Sequence, residues 1–380
     1  MQQTGSQILF QALTEESVDT FFGYPGGCVM DIYDELCRQD IRHILVRHEQ
    51  GAIHAADGYA RASGRVGVCL VTSGPGATNT VTGIANAYMD SIPVVVLTGQ
   101  VPTAIIGSDG FQEVDITGIT RTCTKHNFLV RRIEDLHRTV REAFHIARSG
   151  RPGPVLVDLP KDVIQSVTEA DCPRPILPPG EESCPDLERL CSDALKLLSE
   201  AKQPLILVGG GVILGKSAGL FRSFARKLQI PVVSTLMGLG AFPASDPLWS
   251  GMLGMHGAYA ANMAVSNCDL LLAIGVRFDD RATSKVEAFA PHAKIVHIDI
   301  DPVSIDKIVR TDLAIVSHCT PTLEALLMLI DEQPQAPAAR PLGAWRSRIR
   351  QWKAEMPLGY SRTKNIKPQY VVEKLHQLTG

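Results

Sequence analysis

The chain has 380 residues, 45% of them apolar, enough for about two to three domains with sizeable cores. Its formal net charge of −3, with both signs interspersed, gives no expectation of a nucleic-acid or anionic-membrane partner. No apolar run reaches the length of a membrane span, and nine cysteines without a C-x-x-C pair point to free thiols in a reducing, cytoplasmic setting. The first residues, Met1-Gln2-Gln3-Thr4-Gly5, have neither the basic-then-apolar layout of a secretory leader nor the Arg/Ser-rich character of a transit segment. No close Cys/His doublet pairs with another, so zinc is not expected.

In chain order, a first helix is predicted from Ser6 to Leu13 and a short strand over Val18 to Phe22, followed by the tight glycine loop Gly23-Tyr24-Pro25-Gly26-Gly27. Helical periodicity from Val29 to Cys37 leads to the apolar run Ile41 to Val46, read as a buried strand. Glu49 then stands at a strand-to-helix junction, before the small-residue helix around Ala55 to Ala62. Ligands in open parallel sheets collect at the carboxyl ends of strands. A carboxyl group sheltered there has its charged form disfavoured and can share a proton with a heterocyclic nitrogen. The alternative is a glutamate that merely complements a helix dipole.

Val66 to Thr72 reads as a further buried strand, and Ser73 to Asn79 as either an anion cradle at a helix start or a plain tight turn. A helix over Val81 to Met89 and a strand over Pro93 to Thr98 continue the strand–helix alternation of a parallel sheet. The rhythm fades from Thr103 to Phe128, where Phe111-Gln112-Glu113-Val114-Asp115 is either a functional loop or a surface loop anchored by one Phe. A helix over Ile133 to Ser149 and a strand over Val155 to Leu159 complete the first domain.

The Pro-rich stretch 169–186 reads as a linker. Beyond it, helices over Leu187 to Leu198, Ala218 to Leu228 and Leu323 to Ile330 alternate with strands over Pro204 to Val208, Pro231 to Thr235, Leu270 to Ile274 and Ile295 to Asp301. Gly209-Gly210-Gly211 follows a strand, as in dinucleotide sites, and Asp299 or Asp301 could hold a ribose hydroxyl. The glycines miss the G-x-G-x-x-G spacing by one residue, so tight strand–helix packing is the competing explanation. Met252 to Gly257 reads as a loop with few other constraints. Residues 333–366 read as a second linker with Trp345 and Trp352 in a basic helical stretch, and a new helix begins near Lys367.

Several of these stretches together resemble the large, catalytic subunit of acetolactate synthase, a family of thiamine-diphosphate enzymes. They are Phe22 to Gly27, Arg47 to Ala52, Thr72 to Asn79, Phe111 to Asp115, Gly150 to Pro154, Met252 to Gly257 and Arg277-Phe278-Asp279-Asp280-Arg281. The likeness runs from about Gly5 to the end of the chain. The Phe-Gln-Glu and Arg-Phe-Asp-Asp-Arg segments narrow it within the superfamily.

The resemblance implies an α/β fold of two parallel-sheet domains: a pyrimidine-binding domain over 1–168 and a central, Rossmann-like FAD-binding domain over 187–332. Residues 367–380 would begin a third, pyrophosphate-binding domain. No Gly-Asp-Gly motif occurs here, so the resemblance puts the magnesium ligands in that third domain and none in this chain. The implied reaction decarboxylates pyruvate on thiamine diphosphate and transfers the two-carbon unit to pyruvate or 2-oxobutyrate, for branched-chain amino-acid synthesis. Glu49 matches the glutamate that hydrogen-bonds the aminopyrimidine N1′.

Gly26, Phe111, Gln112, Lys161 and Met255 match residues of the substrate pocket and channel, and Arg281 an arginine that grips the second substrate's carboxylate. Arg151, Gly209, Gly210, Gly211, Thr235, Leu236, His256, Arg277 and Asp299 match contacts to a non-redox FAD. The family usually has Gly-Asp where this chain has Ser317-His318. A homodimer or higher oligomer with the active site between subunits is implied, with a regulatory small subunit as a further partner. Two alternatives stand: a non-catalytic or split chain that needs a C-terminal partner, and a sibling carboligase or decarboxylase.

Overall fold

Runs that are apolar at every position need cover on both faces of a sheet. The computed structural model gives them that cover. It describes residues 2–169, 184–332 and 342–379. Most of the predicted linker 169–186, and residues 333–341 of the second predicted linker, lie outside the described residues. The chain divides into two units, Met1–Glu182 and Ser183–Gly380.

The strands of the first unit are β1 (Gln3–Thr4), β2 (Thr20–Tyr24), β3 (Arg42–Leu45), β4 (Gly67–Val71), β5 (Val94–Gln100), β6 (His126–Leu129), β7 (Val155–Pro160) and β8 (Val167–Thr168). Six of them form a sheet of order β3-β2-β4-β5-β7-β6, in which every pairing is parallel. The fully buried β4, β5 and β7 take the interior positions their composition requires. Ile8, Phe10, Phe21, Leu136 and Phe144 fill one core. Ala52, Ile53, Ala56, Ala60, Ile84 and Ala87 fill another, where small side chains let the helices Glu49–Ser63 and Val81–Asp90 lie close to the sheet. β1 and β8 pair antiparallel as a short ribbon. Thr4 and Gln7 form a capping box that starts the first helix, Gly5–Glu15.

The second unit has β9 (Pro204–Val208), β10 (Val232–Ser234), β11 (Trp249–Met252), β12 (Leu270–Ile274), β13 (Lys294–Asp299) and β14 (Leu313–Val316). Their order is β11-β10-β9-β12-β13-β14, again all parallel. Strand order reverses between β2 and β4 in the first sheet and between β9 and β12 in the second. These are the places where a parallel α/β sheet opens a crevice at its carboxyl edge.

Four expectations change. The run Ile41 to Val46 is not buried: β3 is an edge strand, and Leu45 is 63% exposed. The stretch read as irregular contains the helix Ile116–Thr120 and the edge strand β6, whose polar His126-Asn127 hides the usual alternation. Met252 to Gly257 continues out of an unpredicted strand, β11, and is firmly held. Gly254 N–H donates to Asn262 Oδ1 at 2.9 Å, and Met255 N–H donates to the Arg281 carbonyl at 3.1 Å. Residues 343–355, inside the stretch read as a second linker, form the helix Gly343–Glu355. Its Trp345, Ile349 and Trp352 are buried in the second unit's core, and Trp345 Nε1 donates to the Pro204 carbonyl at 3.0 Å. The helix Pro368–Thr379 has no buried residue.

Candidate functional site

At the first reversal point, three strand ends meet around one threonine. The loop after β2 brings Gly26 and Cys28, β3 leads to Glu49, and the segment after β4 brings Thr72, Ser73, Gly76 and Asn79. Cys28 N–H donates to Thr72 Oγ1 at 3.4 Å, and Ser73 Oγ donates to Cys28 Sγ at 3.2 Å. A Cβ on Gly26 would sit 2.5 Å from Thr72 Cβ, and one on Gly76 would sit 2.7 Å from Thr72 Cγ2. Both glycines are therefore required by the approach of these loops. The segment 73–79 is a packed turn: a Cβ on Gly74, at φ +57°, would lie 2.5 Å from the Gln112 carbonyl oxygen.

Glu49 is the first residue of its helix, behind an N-cap in which His48 Nδ1 accepts the Gln50 N–H at 3.1 Å. Its side chain does more than complement the dipole. Asn79 Nδ2 donates to Oε2 at 2.9 Å, while Oε1 lies 3.3 Å from where a Gly76 Cβ would be. One oxygen is held by Asn79, and the other lies beside Gly76. Glu49 is half-buried, less sheltered than its apolar flanks led us to expect, because the helix start lies at the rim of the crevice. Behind it, burial, reinforced by the Glu49 charge, pushes the Cys69 thiol up and keeps it neutral.

Phe111 and Gln112 ride on a loop folded against Gly74. Glu113 holds that loop, its carboxylate accepting the backbone N–H groups of Gly107 and Gly110. These bonds hold its pKa below the usual carboxylate range. Phe111 is 90% exposed, so it does not anchor the loop. Gln100 ties the loop to the sheet, its Nε2 donating at 2.9 Å to both the Val114 carbonyl and Asp158 Oδ2. Asp158 also accepts from Thr98 Oγ1 at 2.7 Å, yet burial overrides both donors and pushes its pKa up to about 7.

A raised folded value against roughly 3.9 in the unfolded chain means the folded state retains a proton that the unfolded state has lost. This contribution to stability is complete below pH ~4 and falls away as pH rises towards 7, by on the order of a few kcal/mol. Asp158→Asn is expected to flatten that loss, its Nδ2 donating to Thr98 Oγ1 and its Oδ1 accepting from Gln100 Nε2 as the carboxylate does now. Hydrogen exchange of β5 and β7 amides at pH 5 and pH 8 checks this. An unchanged pH dependence in the variant would remove Asp158 from the account.

In the second unit, Gly209 to Gly211, Thr235, Leu236, Arg277 and Asp299 all stand at the carboxyl edge of the sheet, after β9, β10 and β12 and at the end of β13. His256 follows β11 at the same edge and is exposed. The glycine triplet is packed against the neighbouring crossover. Gly211 N–H donates to the Gly275 carbonyl at 3.1 Å, and a Cβ on Gly211 would lie 2.7 Å from Gly275 Cα. Arg277 pairs with Asp279 at 3.5 Å. Asp299 accepts the Asp301 N–H at 2.9 Å. His318 Nδ1 accepts the Thr320 N–H at 3.1 Å, serving as a cap acceptor for the helix Cys319–Glu332. Arg281 Nη1 lies 3.8 Å from Met255 Sδ, so these two predicted residues are brought together.

The structure thus clusters Gly26 and Glu49, and sets Phe111 and Gln112 beside that cluster. Lys161 begins the helix Lys161–Gln165 after β7, two strands away from β4. Arg151 stands apart, at the amino edge of the first sheet, with Nε donating to Ser91 Oγ at 2.8 Å. The sequence places Cys28 between the glycine loop and the next helix, and Asn79 within the Ser73 to Asn79 stretch without a role. Only the spatial approach of the Asn79 amide to the Glu49 carboxylate reveals one. Among the described residues no group of side chains is arranged to hold a metal ion, and no helix is long and apolar enough to cross a membrane.

Two family descriptions match the chain: the thiamine pyrophosphate enzyme N-terminal TPP-binding domain over residues 3–119, and the thiamine pyrophosphate enzyme central domain over residues 191–326. The chain is 48% identical over 381 residues to the acetolactate synthase large subunit of Haemophilus influenzae, covering 99% of this chain and 66% of the relative. It is 47% identical over 385 residues to the acetolactate synthase isozyme 3 large subunit of Escherichia coli, with the same coverage. It is 49% identical over 381 residues to the chloroplastic acetolactate synthase 1 of Nicotiana tabacum, covering 99% of this chain and 57% of that protein. The chain therefore spans just under two thirds of the bacterial relatives it matches. With thiamine pyrophosphate domains over both of its units and near-half identity along its whole length, the chain belongs to the thiamine pyrophosphate enzymes, among the acetolactate synthase large subunits.

Proposed function

We propose that this chain supplies the aminopyrimidine end of a thiamine-diphosphate site in an acetolactate synthase. That enzyme decarboxylates pyruvate and transfers the two-carbon unit to pyruvate or 2-oxobutyrate, in cytoplasmic branched-chain amino-acid synthesis. The observation that carries this reading is the Glu49 carboxylate at the strand-to-helix junction, fixed through Oε2 by Asn79 with Oε1 beside Gly76. The residues present suit an aminopyrimidine in one respect: a carboxyl group at a strand-to-helix junction, oriented by an amide donor. When bound, thiamine diphosphate supplies the electron sink for decarboxylation. Glu49 holds and returns a proton at the ring nitrogen N1′, and Asn79 keeps its carboxyl group in the rotamer that does so.

The remaining roles rest on likeness to the family and on placement. Gly26, Phe111 and Gln112 would line the substrate pocket, with Lys161 and Met255 towards its channel. The Arg281 guanidinium, exposed beside Met255, suits a 2-oxo acid carboxylate. Gly209 to Gly211, Thr235, Leu236, His256, Arg277 and Asp299 share one sheet edge suited to a non-redox FAD, and Arg151 matches a further FAD contact of the family. Magnesium would be held outside these 380 residues. Exposed Met30, Leu45 and Phe111 at the first sheet's carboxyl edge favour a subunit interface there. The relatives' designation as large subunits points to a regulatory small subunit.

The test offers pyruvate, with and without 2-oxobutyrate, to the purified chain together with thiamine diphosphate, magnesium and FAD. It is run alone and again with a relative's C-terminal third added. Acetolactate and acetohydroxybutyrate are expected in the completed system. Formation of neither would transfer the chain to a sibling carboligase or decarboxylase.

A further inference from the structure

The second unit contains a cavity of about 290 Å³ at the amino edge of its sheet, opposite the edge that carries Gly209 to Gly211. Its charged lining is Arg226, Arg346, Arg350 and Lys353 against a single carboxylate, Asp246. Three of the cations come from one face of the helix Gly343–Glu355, at the i, i+4 and i+7 spacing that aligns side chains along a helix. That helix is fixed by its buried tryptophans, so the cations are displayed from a rigid support.

Each cation is also held by the protein. Arg226 Nε donates to Asp246 Oδ2 at 2.9 Å, Arg346 Nη1 donates to Gln229 Oε1 at 2.7 Å, and Lys353 Nζ donates to the Trp249 carbonyl. Arg350 Nη2 donates to Ser347 Oγ at 2.8 Å. These bonds occupy one nitrogen of each guanidinium and leave its fork geometry for a ligand. Asp246 neutralises one cation, and three positive charges remain converged on the cavity. Between them lie Pro231, Pro247, Leu248 and Ile349, an apolar floor. A solvated basic surface would need neither the concavity nor that floor. The volume exceeds what a bare inorganic anion fills and lies at the lower end of small-molecule sites.

We propose that this cavity binds a small organic phosphate ester: the dianionic head between the Arg346, Arg350 and Lys353 side chains, and the apolar body on Pro231, Leu248 and Ile349. The assignment is independent of the thiamine reading.

The experiment is calorimetric titration of the 380-residue chain with phenyl phosphate, beside inorganic phosphate and benzoate. Phenyl phosphate is expected to bind more tightly than either. Arg350→Ala and Arg346→Ala, both on the helix Gly343–Glu355, are each expected to weaken it about 10- to 100-fold, the worth of one charge-assisted contact. Arg348→Ala, which lies over Trp352 outside the cavity, should leave binding unchanged. Tryptophan fluorescence verifies that each variant is folded. Equal binding of phenyl phosphate to the wild type and to the Arg350→Ala and Arg346→Ala variants would overturn the site. Benzoate binding as tightly would overturn the phosphate class, and inorganic phosphate binding as tightly would overturn the organic body. No binding of phenyl phosphate at millimolar concentration would overturn all of it.

Discussion

Glu49→Gln is expected to lower acetolactate formation by about 10²- to 10⁴-fold in the completed enzyme, the usual worth of a positioned proton transfer. The substitution conserves shape. A glutamine carbonyl can still accept the Asn79 Nδ2–H that now reaches Oε2 at 2.9 Å, so the side chain keeps its rotamer. Its amide nitrogen then takes the place beside Gly76 where Oε1 now stands. An amide can donate a hydrogen bond to a ring nitrogen but cannot give up and regain a proton near neutral pH. Cofactor binding should therefore fall much less than turnover. Steady-state kinetics with pyruvate, alongside a thiamine-diphosphate titration, separates the two effects. Unchanged turnover would sink the assignment of Glu49 while leaving the fold untouched.

Gly209→Ala is expected to destabilise the second unit by about 1–3 kcal/mol or more, the cost of forcing a methyl group into a filled core. The added Cβ would overlap the Gly275 carbonyl oxygen and lie 2.9 Å from Val276 Cγ2. Neither side can yield easily. Gly209 N–H is bonded to the Ile274 carbonyl at 3.0 Å, and Gly275 sits at φ +62°, where the chain turns back over the triplet. Gly219→Ala makes a suitable control, since nothing lies within 4 Å of its added Cβ, in the helix Ala218–Leu228. All three tryptophans, Trp249, Trp345 and Trp352, are in the second unit, so their fluorescence reports on it selectively. The urea midpoint should drop by about 1 M in Gly209→Ala and hold or rise in Gly219→Ala. A midpoint equal to the wild type's would mean that the crossover at Gly275 moves aside freely.

The sequence was legible where one residue type has one physical use. Continuous apolar runs such as Val94 to Leu97 and Leu270 to Ile274 could only be covered strands, and they are central in their sheets. Edge strands escaped because half their surface meets water. β3 was taken as buried, and β6, with its His-Asn start, was not seen at all. Trp345 and Trp352 lie in a basic stretch that looks solvated, and only the packing of the helix Gly343–Glu355 shows which side is buried.

Composition, periodicity and short motifs determined by themselves that this is an α/β protein of two parallel-sheet units, with the Glu49 carboxylate at a strand-to-helix junction and its role open between proton exchange and a helix dipole. These are properties of residues near one another in the chain. Tertiary structure alone decided that Asn79, thirty residues from Glu49 in sequence, holds one of its oxygens, and that Gly211 is glycine because Gly275 lies against it. It also decided that cations on two separate helices converge on one cavity. Contacts of that kind arise where strand order reverses or where a helix docks, and neither is written in any local stretch of residues.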